Sequence, residues 1–118
     1  MQLKKTEKQT KAIKIEIEKA GKIVGRAYLY LIYNDLHEEP YGLLEDVFVE
    51  DDERGQGTGT ELVKAVIVEA KTQGCHKLIG CSRYSRPNVH KWYESLGFSD
   101  YGKEFRMDLK ETKVLTRD

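Results

Sequence analysis

Arg54-Gly55-Gln56-Gly57-Thr58-Gly59 sets three glycines within five residues, immediately before a patterned helix. Glycine accepts positive φ and carries no Cβ over its amide, so neighbouring N–H groups can converge on a cluster of oxyanions. The helix that starts here adds amides without intrahelical partners and the positive end of its macrodipole. Arg54 brings a forked guanidinium suited to phosphate oxygens. The chemistry these residues serve is the holding of a pyrophosphate; the plain alternative is a glycine turn that only caps a helix.

Spacing discriminates among pyrophosphates. A Walker loop needs lysine before Ser or Thr, and no lysine lies between Val49 and Glu61. A dinucleotide fingerprint counted from Gly55 reaches Gly57 and then Thr60, where a third glycine belongs. Just upstream, the apolar run Leu43–Val49 contains Glu45 and Asp46. Strict alternation puts Leu43, Glu45, Val47 and Val49 on one face and Leu44, Asp46 and Phe48 on the other, so one carboxylate points to each side. Such a carboxylate is a candidate for proton chemistry, the alternative being an ion pair with lysine.

The elements that must position these groups are legible in order. Residues 1–10 read as a lead-in or short edge strand. Ile13, Ile15 and Ile17 alternate with Lys14, Glu16 and Glu18, a half-buried strand that turns at Ala20-Gly21-Lys22 into a second strand, Ile23–Tyr33. A polar loop, Asn34–Tyr41, leads to a third strand, Gly42–Val49. Thr58–Gln73 is a helix with Leu62, Val63, Val66, Ile67 and Ala70 on one stripe and Gly74 as its stop. His76–Ser82 reads as a short buried strand, parallel to the third through a right-handed crossover. Ser85-Arg86-Pro87 opens a second helix whose Val89, Trp92 or Tyr93, and Leu96 share a face. Phe98–Tyr101 and Glu104–Leu109 read as two final strands around Gly102.

At 118 residues the chain is long enough for one domain, 1–118, with a single core. Twenty basic and twenty acidic residues cancel, which argues against a general electrostatic grip on nucleic acid or an anionic membrane. There is no run of eighteen apolar residues and no apolar signal core near the start, so a cytoplasmic protein is expected. Cys75 and Cys81 are expected as reduced, buried small hydrophobes. His37, His76 and His90 are scattered, no metal site is expected, and His90 reads as a surface residue without a required partner.

The pattern [Arg/Gln]-x-x-Gly-x-[Gly/Ala] after a strand is met by Arg54, Gly57 and Gly59 and resembles the acetyl-CoA pyrophosphate loop of the GNAT superfamily of N-acetyltransferases. Asn88-Val89-His90-Lys91-Trp92-Tyr93-Glu94-Ser95-Leu96-Gly97-Phe98 is similar to a second GNAT signature, a helix with an aromatic pair ending in Leu-Gly-Phe. The resemblance covers residues 12–109. It implies an α+β fold, a mixed and mostly antiparallel sheet with two splayed parallel strands and flanking helices. It also implies that Arg54, Gly55, Gln56, Gly57, Thr58, Gly59 and Thr60 hold the diphosphate of acetyl-CoA. The main chain of Val47, Phe48 and Val49 would meet the pantetheine arm, and an amide near Phe48 the oxyanion.

The resemblance further implies that Tyr93 contacts the cofactor and protonates its departing thiolate. Glu45 or Asp46, with Glu45 preferred, or water would take the proton of the amine. The family's asparagine seven positions before the tyrosine falls on Arg86, with Asn88 two places later, and either is a candidate for that contact. The implied acceptor is a primary amine, on a small molecule or a lysine-bearing peptide. Asp35, Glu38, Glu39 and Glu50–Glu53 form an acidic rim that suits a cation, or simply solubility. Family members usually carry a strand and two helices before the hairpin, where this sequence has about ten residues; the acceptor pocket is then open, or completed by a second subunit or a bulky substrate. A CoA-binding sensor without turnover is the alternative function, and a nucleotide-phosphate binder a third.

Overall fold

Alternating isoleucines and charged residues open the sheet. In the computed structural model, which describes residues 1–115, β1 (Ala12–Lys19) pairs antiparallel with β2 (Lys22–Ile32), Lys19 opposite Lys22. Ala20 and Gly21 form the two-residue loop with φ of 50° and 77°. Positive φ at both positions gives a turn whose twist matches that of the flanking strands. β2 pairs antiparallel with β3 (Tyr41–Val49), and β3 pairs parallel with β4 (Leu78–Gly80), giving the order β1-β2-β3-β4.

α1 (Thr58–Thr72) connects the two parallel strands and turns Thr58, Leu62, Val63, Val66 and Ala70 inward. These meet Val24, Ala27, Leu29, Leu31 and Leu44, all buried, from one face of the sheet. Leu62 and Leu29 are fully buried, and truncating either to alanine costs about 2–5 kcal/mol. Gly74, with φ of 81°, lets the chain leave α1 in the left-handed conformation that ends many helices. α2 (Pro87–Ser95) begins with proline in its first turn, where the missing N–H has no intrahelical partner to lose.

The mixed, mostly antiparallel sheet with flanking helices is therefore as expected, with three differences. The strand expected over His76–Ser82 is limited to Leu78–Gly80 and is half-buried. Before it, His76 N donates to Pro40 O at 3.0 Å and Gly42 N to Lys77 O at 2.9 Å, so the chain is tethered as it leaves α1 but joins the ladder for only three pairs. The strands expected at Phe98–Tyr101 and Glu104–Leu109 do not form. Tyr101, Phe105, Met107 and Leu109 lie exposed, and alternation makes a strand only where a neighbour takes up the backbone hydrogen bonds. The third difference, in β3, belongs to the site.

The chain divides into two compact units, Met1–Gly80 and a second starting at Cys81. Each is described by itself.

Candidate functional site

The acidic segment of β3 departs from simple alternation. Tyr28 lies opposite Glu45 and Arg26 opposite Phe48, so Asp46 and Val47 together face the single residue Ala27. That is a β-bulge, and Asp46 adopts φ of 54° within it. The extra residue resets the faces: Phe48, rather than Val47, follows Glu45 on the open side, and Asp46 turns to the same side. The expectation that Glu45 and Asp46 point apart is thus corrected, because one left-handed residue shifts the period-two pattern.

Arg26 reaches across to this bulge. Its Nε donates to Asp46 Oδ2 at 2.8 Å and its Nη2 to Asp46 Oδ1 at 3.1 Å, while its guanidinium lies 4.7 Å from the Phe48 ring centre. The hydrogen bond it donates to Asp46 raises the Arg26 pKa above its ordinary value, against partial desolvation and with added coulombic support from the same carboxylate. Both Asp46 oxygens are engaged. Glu45 and Asp46 line an open depression of about 590 Å³ with Tyr28, Tyr30 and Leu43. The two tyrosine rings stack at 5.8 Å and 13°.

Arg26, Tyr28 and Tyr30 were not singled out by the sequence reading. Their signal is β2's own alternation: Ala27, Leu29 and Leu31 are the buried set, so the residues between them must face the other way.

The parallel ladder ends at Leu44 opposite Gly80, and β3 runs on to Val49. Val47, Phe48 and Val49 therefore lie beyond the last β4 pair, half-buried, with β2 on their other side. The pairing ends there because β4 itself stops at Gly80. The Val49 carbonyl accepts from Arg54 Nε at 3.2 Å.

A single 3-10 turn, Asp51–Glu53, carries the chain from β3 to the glycines. Gly55 and Gly57 have φ of 82° and 80°, and a Cβ added to either meets nothing within 4 Å. Gly57 is the N-cap of α1 and no side chain caps that end. The open space thus lies over Gly55 and Gly57, just before Thr58, Gly59 and Thr60 of the first turn, and the two glycines fit a diphosphate: small, left-handed and at a positive helix end. Thr58 is buried, and its Oγ1 receives Lys19 Nζ at 3.3 Å while Lys19 pairs with Glu53 at 2.9 Å. Its side chain ties α1 to β1 and leaves only its main chain for a ligand. Gln56 Nε2 donates to Asp52 O at 3.0 Å, and Arg54 Nη1 lies 3.4 Å from Asp51.

In the second unit, Arg86 is the N-cap of α2, and its carbonyl accepts from Val89 N and His90 N. The Arg86 and Asn88 side chains are both exposed. Tyr93 is half-buried between Trp92, at 5.4 Å, and Phe98, at 5.2 Å between ring centres. Phe98 N donates to Tyr93 O at 3.1 Å across Gly97, whose φ is 103°, so the Leu-Gly-Phe ending folds back beneath the tyrosine. His90, expected as a surface residue without a required partner, has its Nε2 2.7 Å from Arg83 O, and because a carbonyl only accepts, that nitrogen carries the proton.

Cys75 is half-buried and Cys81 exposed, so neither is the buried residue expected. Burial pushes the Cys75 thiol up. Among the described residues no group of three or more His, Cys, Asp and Glu could hold a metal ion, and no helix is long and apolar enough to cross a membrane.

An acetyltransferase (GNAT) family model matches residues 2–98. The chain is 34% identical over 91 residues to a glucosamine 6-phosphate N-acetyltransferase of Trypanosoma brucei brucei, covering 75% of this chain and 59% of that protein. It is 31% identical over 94 residues to an L-methionine sulfoximine/L-methionine sulfone acetyltransferase of Pseudomonas paraeruginosa, covering 77% and 52%. The chain thus spans between half and three fifths of these relatives. Among solved structures it resembles a putative acetyltransferase from Agrobacterium tumefaciens, with a TM-score of 0.77, 28% identity, and coverage of 82% of this chain and 68% of that one.

Proposed function

The chain belongs to the acetyltransferase (GNAT) family, and from that premise we propose that it transfers the acetyl group of acetyl-CoA to a primary amine. The observation that carries this reading is the glycine loop. Two left-handed glycines open onto free space at the start of α1, which no side chain caps, one 3-10 turn after the end of β3. A diphosphate on those amides sets its pantetheine arm running toward the β3–β4 gap, where Val47 and Phe48 offer main-chain groups to its amides. Arg54, Gly55 and Gln56 border the diphosphate on the side away from the helix. Arg86 or Asn88 would add a polar contact from α2.

In this reading the amine lies on the open face of the sheet, on the platform of Tyr28, Tyr30 and Leu43. The amine nitrogen attacks the thioester carbonyl carbon, and the oxyanion rests on a β3 main-chain amide near Phe48. The C–S bond then breaks and Tyr93 gives its phenolic proton to the thiolate. Glu45 takes the amine's proton directly or through water. Asp46 is the weaker candidate for base because Arg26 already occupies both of its oxygens. The relatives act on an amino sugar phosphate and on methionine analogues, which supports a compact, polar amine as acceptor over a long peptide.

Thiol release from acetyl-CoA across a panel of amino sugars, amino acids, polyamines and lysine peptides tests the proposal. At least one amine should release thiol in step with its own acetylation. Binding of acetyl-CoA with no release on any member would reduce the chain to a CoA-binding module.

A further inference from the structure

The family reading leaves unexplained how a single strand keeps a left-handed aspartate in mid-ladder. Asp46 at φ 54° is in a region that aspartate visits more readily than most residues but still at a cost. Sliding the bulge by one place would turn Phe48 toward α1 and change which amide meets the β3–β4 gap. Gly25, opposite Val49, adds a constraint: a Cβ there would lie 3.3 Å from the Phe48 carbonyl oxygen, so β2 already approaches the bulge as closely as a bare backbone allows.

We infer that Arg26 is a positioning residue for acetyl transfer: by forking onto Asp46 and covering the Phe48 ring it locks the bulge, and thereby the β3 main-chain amides near Phe48, in place. Three features carry the inference. The fork engages both carboxylate oxygens, at 2.8 and 3.1 Å, so it fixes the direction of Asp46 as well as its charge. The same guanidinium covers the ring of the residue on the far side of the bulge, 4.7 Å away. Arg26 also sits directly opposite Phe48 in the ladder, so one side chain spans the two strands at the irregularity. The Arg26 side chain is only 23% exposed and Asp46 49%, so the pair is partly screened, and its value lies more in geometry than in bulk stability.

The kinetic part of this inference rests on the transferase reading; the structural part does not. The test uses the full chain with R26Q, R26K and D46N and three measurements: the Asp46 intraresidue amide-to-Hα NOE, the dissociation constant for CoA, and kcat with the best amine of the panel. R26Q should weaken the strong NOE that marks a left-handed residue, lower kcat at least about tenfold, equivalent to about 1.4 kcal/mol, and leave CoA affinity within about twofold of the parent. R26K keeps the charge but lacks the fork and the flat face, so it should recover only part of kcat. D46N retains a residue that tolerates positive φ and should keep more of the NOE than R26Q. An unchanged NOE or unchanged kcat in R26Q would overturn the inference, as would a parallel fall in kcat, CoA affinity and melting temperature. If the parent binds CoA but turns over no amine, the transferase reading fails instead, and the lock stands or falls on the NOE alone.

Discussion

Tyr93 and the loop glycines carry separable parts of the account. Replacing Tyr93 with phenylalanine keeps the ring between Trp92 and Phe98 and removes the phenolic hydroxyl. Thiol release should slow about a hundredfold, within the usual range for a general acid, while CoA affinity stays near the parent value; equal rates would remove Tyr93 from the mechanism. Glu45→Gln should abolish the rise of kcat/KM with pH if that carboxylate is the base, and an unchanged profile would assign the proton to water. Cys75 offers a test that is independent of catalysis. Burial raises its pKa, so the folded chain keeps this proton to a higher pH than the unfolded chain does. The stabilisation is fully present below the unfolded thiol value, near ~8.5, and is lost as pH rises through the folded one. Iodoacetamide should therefore label the exposed Cys81 first and reach Cys75 only at more alkaline pH, as peptide mapping would record.

At the scale of elements, close approach decides where the parallel pair can form. A Cβ on Gly42 would lie 2.8 Å from Leu29 Cδ1 and 3.0 Å from Leu78 Cδ1. Gly42→Ala should destabilise the chain by about 1–3 kcal/mol through overpacking, read as a lower denaturant midpoint with unchanged slope. A midpoint equal to the parent's would mean that the β2, β3 and β4 side chains there yield freely. The hairpin, α1 and α2 were legible because their signals are local: isoleucine alternation, an apolar stripe closed by glycine, and proline at a helix start. The bulge was not, since nothing within Glu45-Asp46-Val47 marks an extra residue until the pairing with β2 brings Arg26, distant in sequence, onto Asp46. Phe105, Met107 and Leu109 show the reverse case: they alternate in sequence, yet no strand forms over them.

For the molecule as a whole, the family and the sheet were readable because two short motifs stand in order with the required elements between them. The position of the glycine loop was also readable, since left-handed backbone demands glycine at 55 and 57. The open face was harder to see. Tyr28, Tyr30 and Arg26 read as ordinary members of a strand, and their role depends on which face α1 covers.

The central claim is that the amides around Gly57 hold the diphosphate of coenzyme A. Its most direct measurement is calorimetric titration of acetyl-CoA, CoA and ATP into the parent chain and into Gly57→Val, with circular dichroism confirming that the variant is folded. The account predicts that the parent binds acetyl-CoA and CoA in preference to ATP and that the valine variant loses this binding, because its Cβ and branched methyls fill the space above the loop. Preference for ATP, or undiminished CoA binding by a folded Gly57→Val, would contradict it.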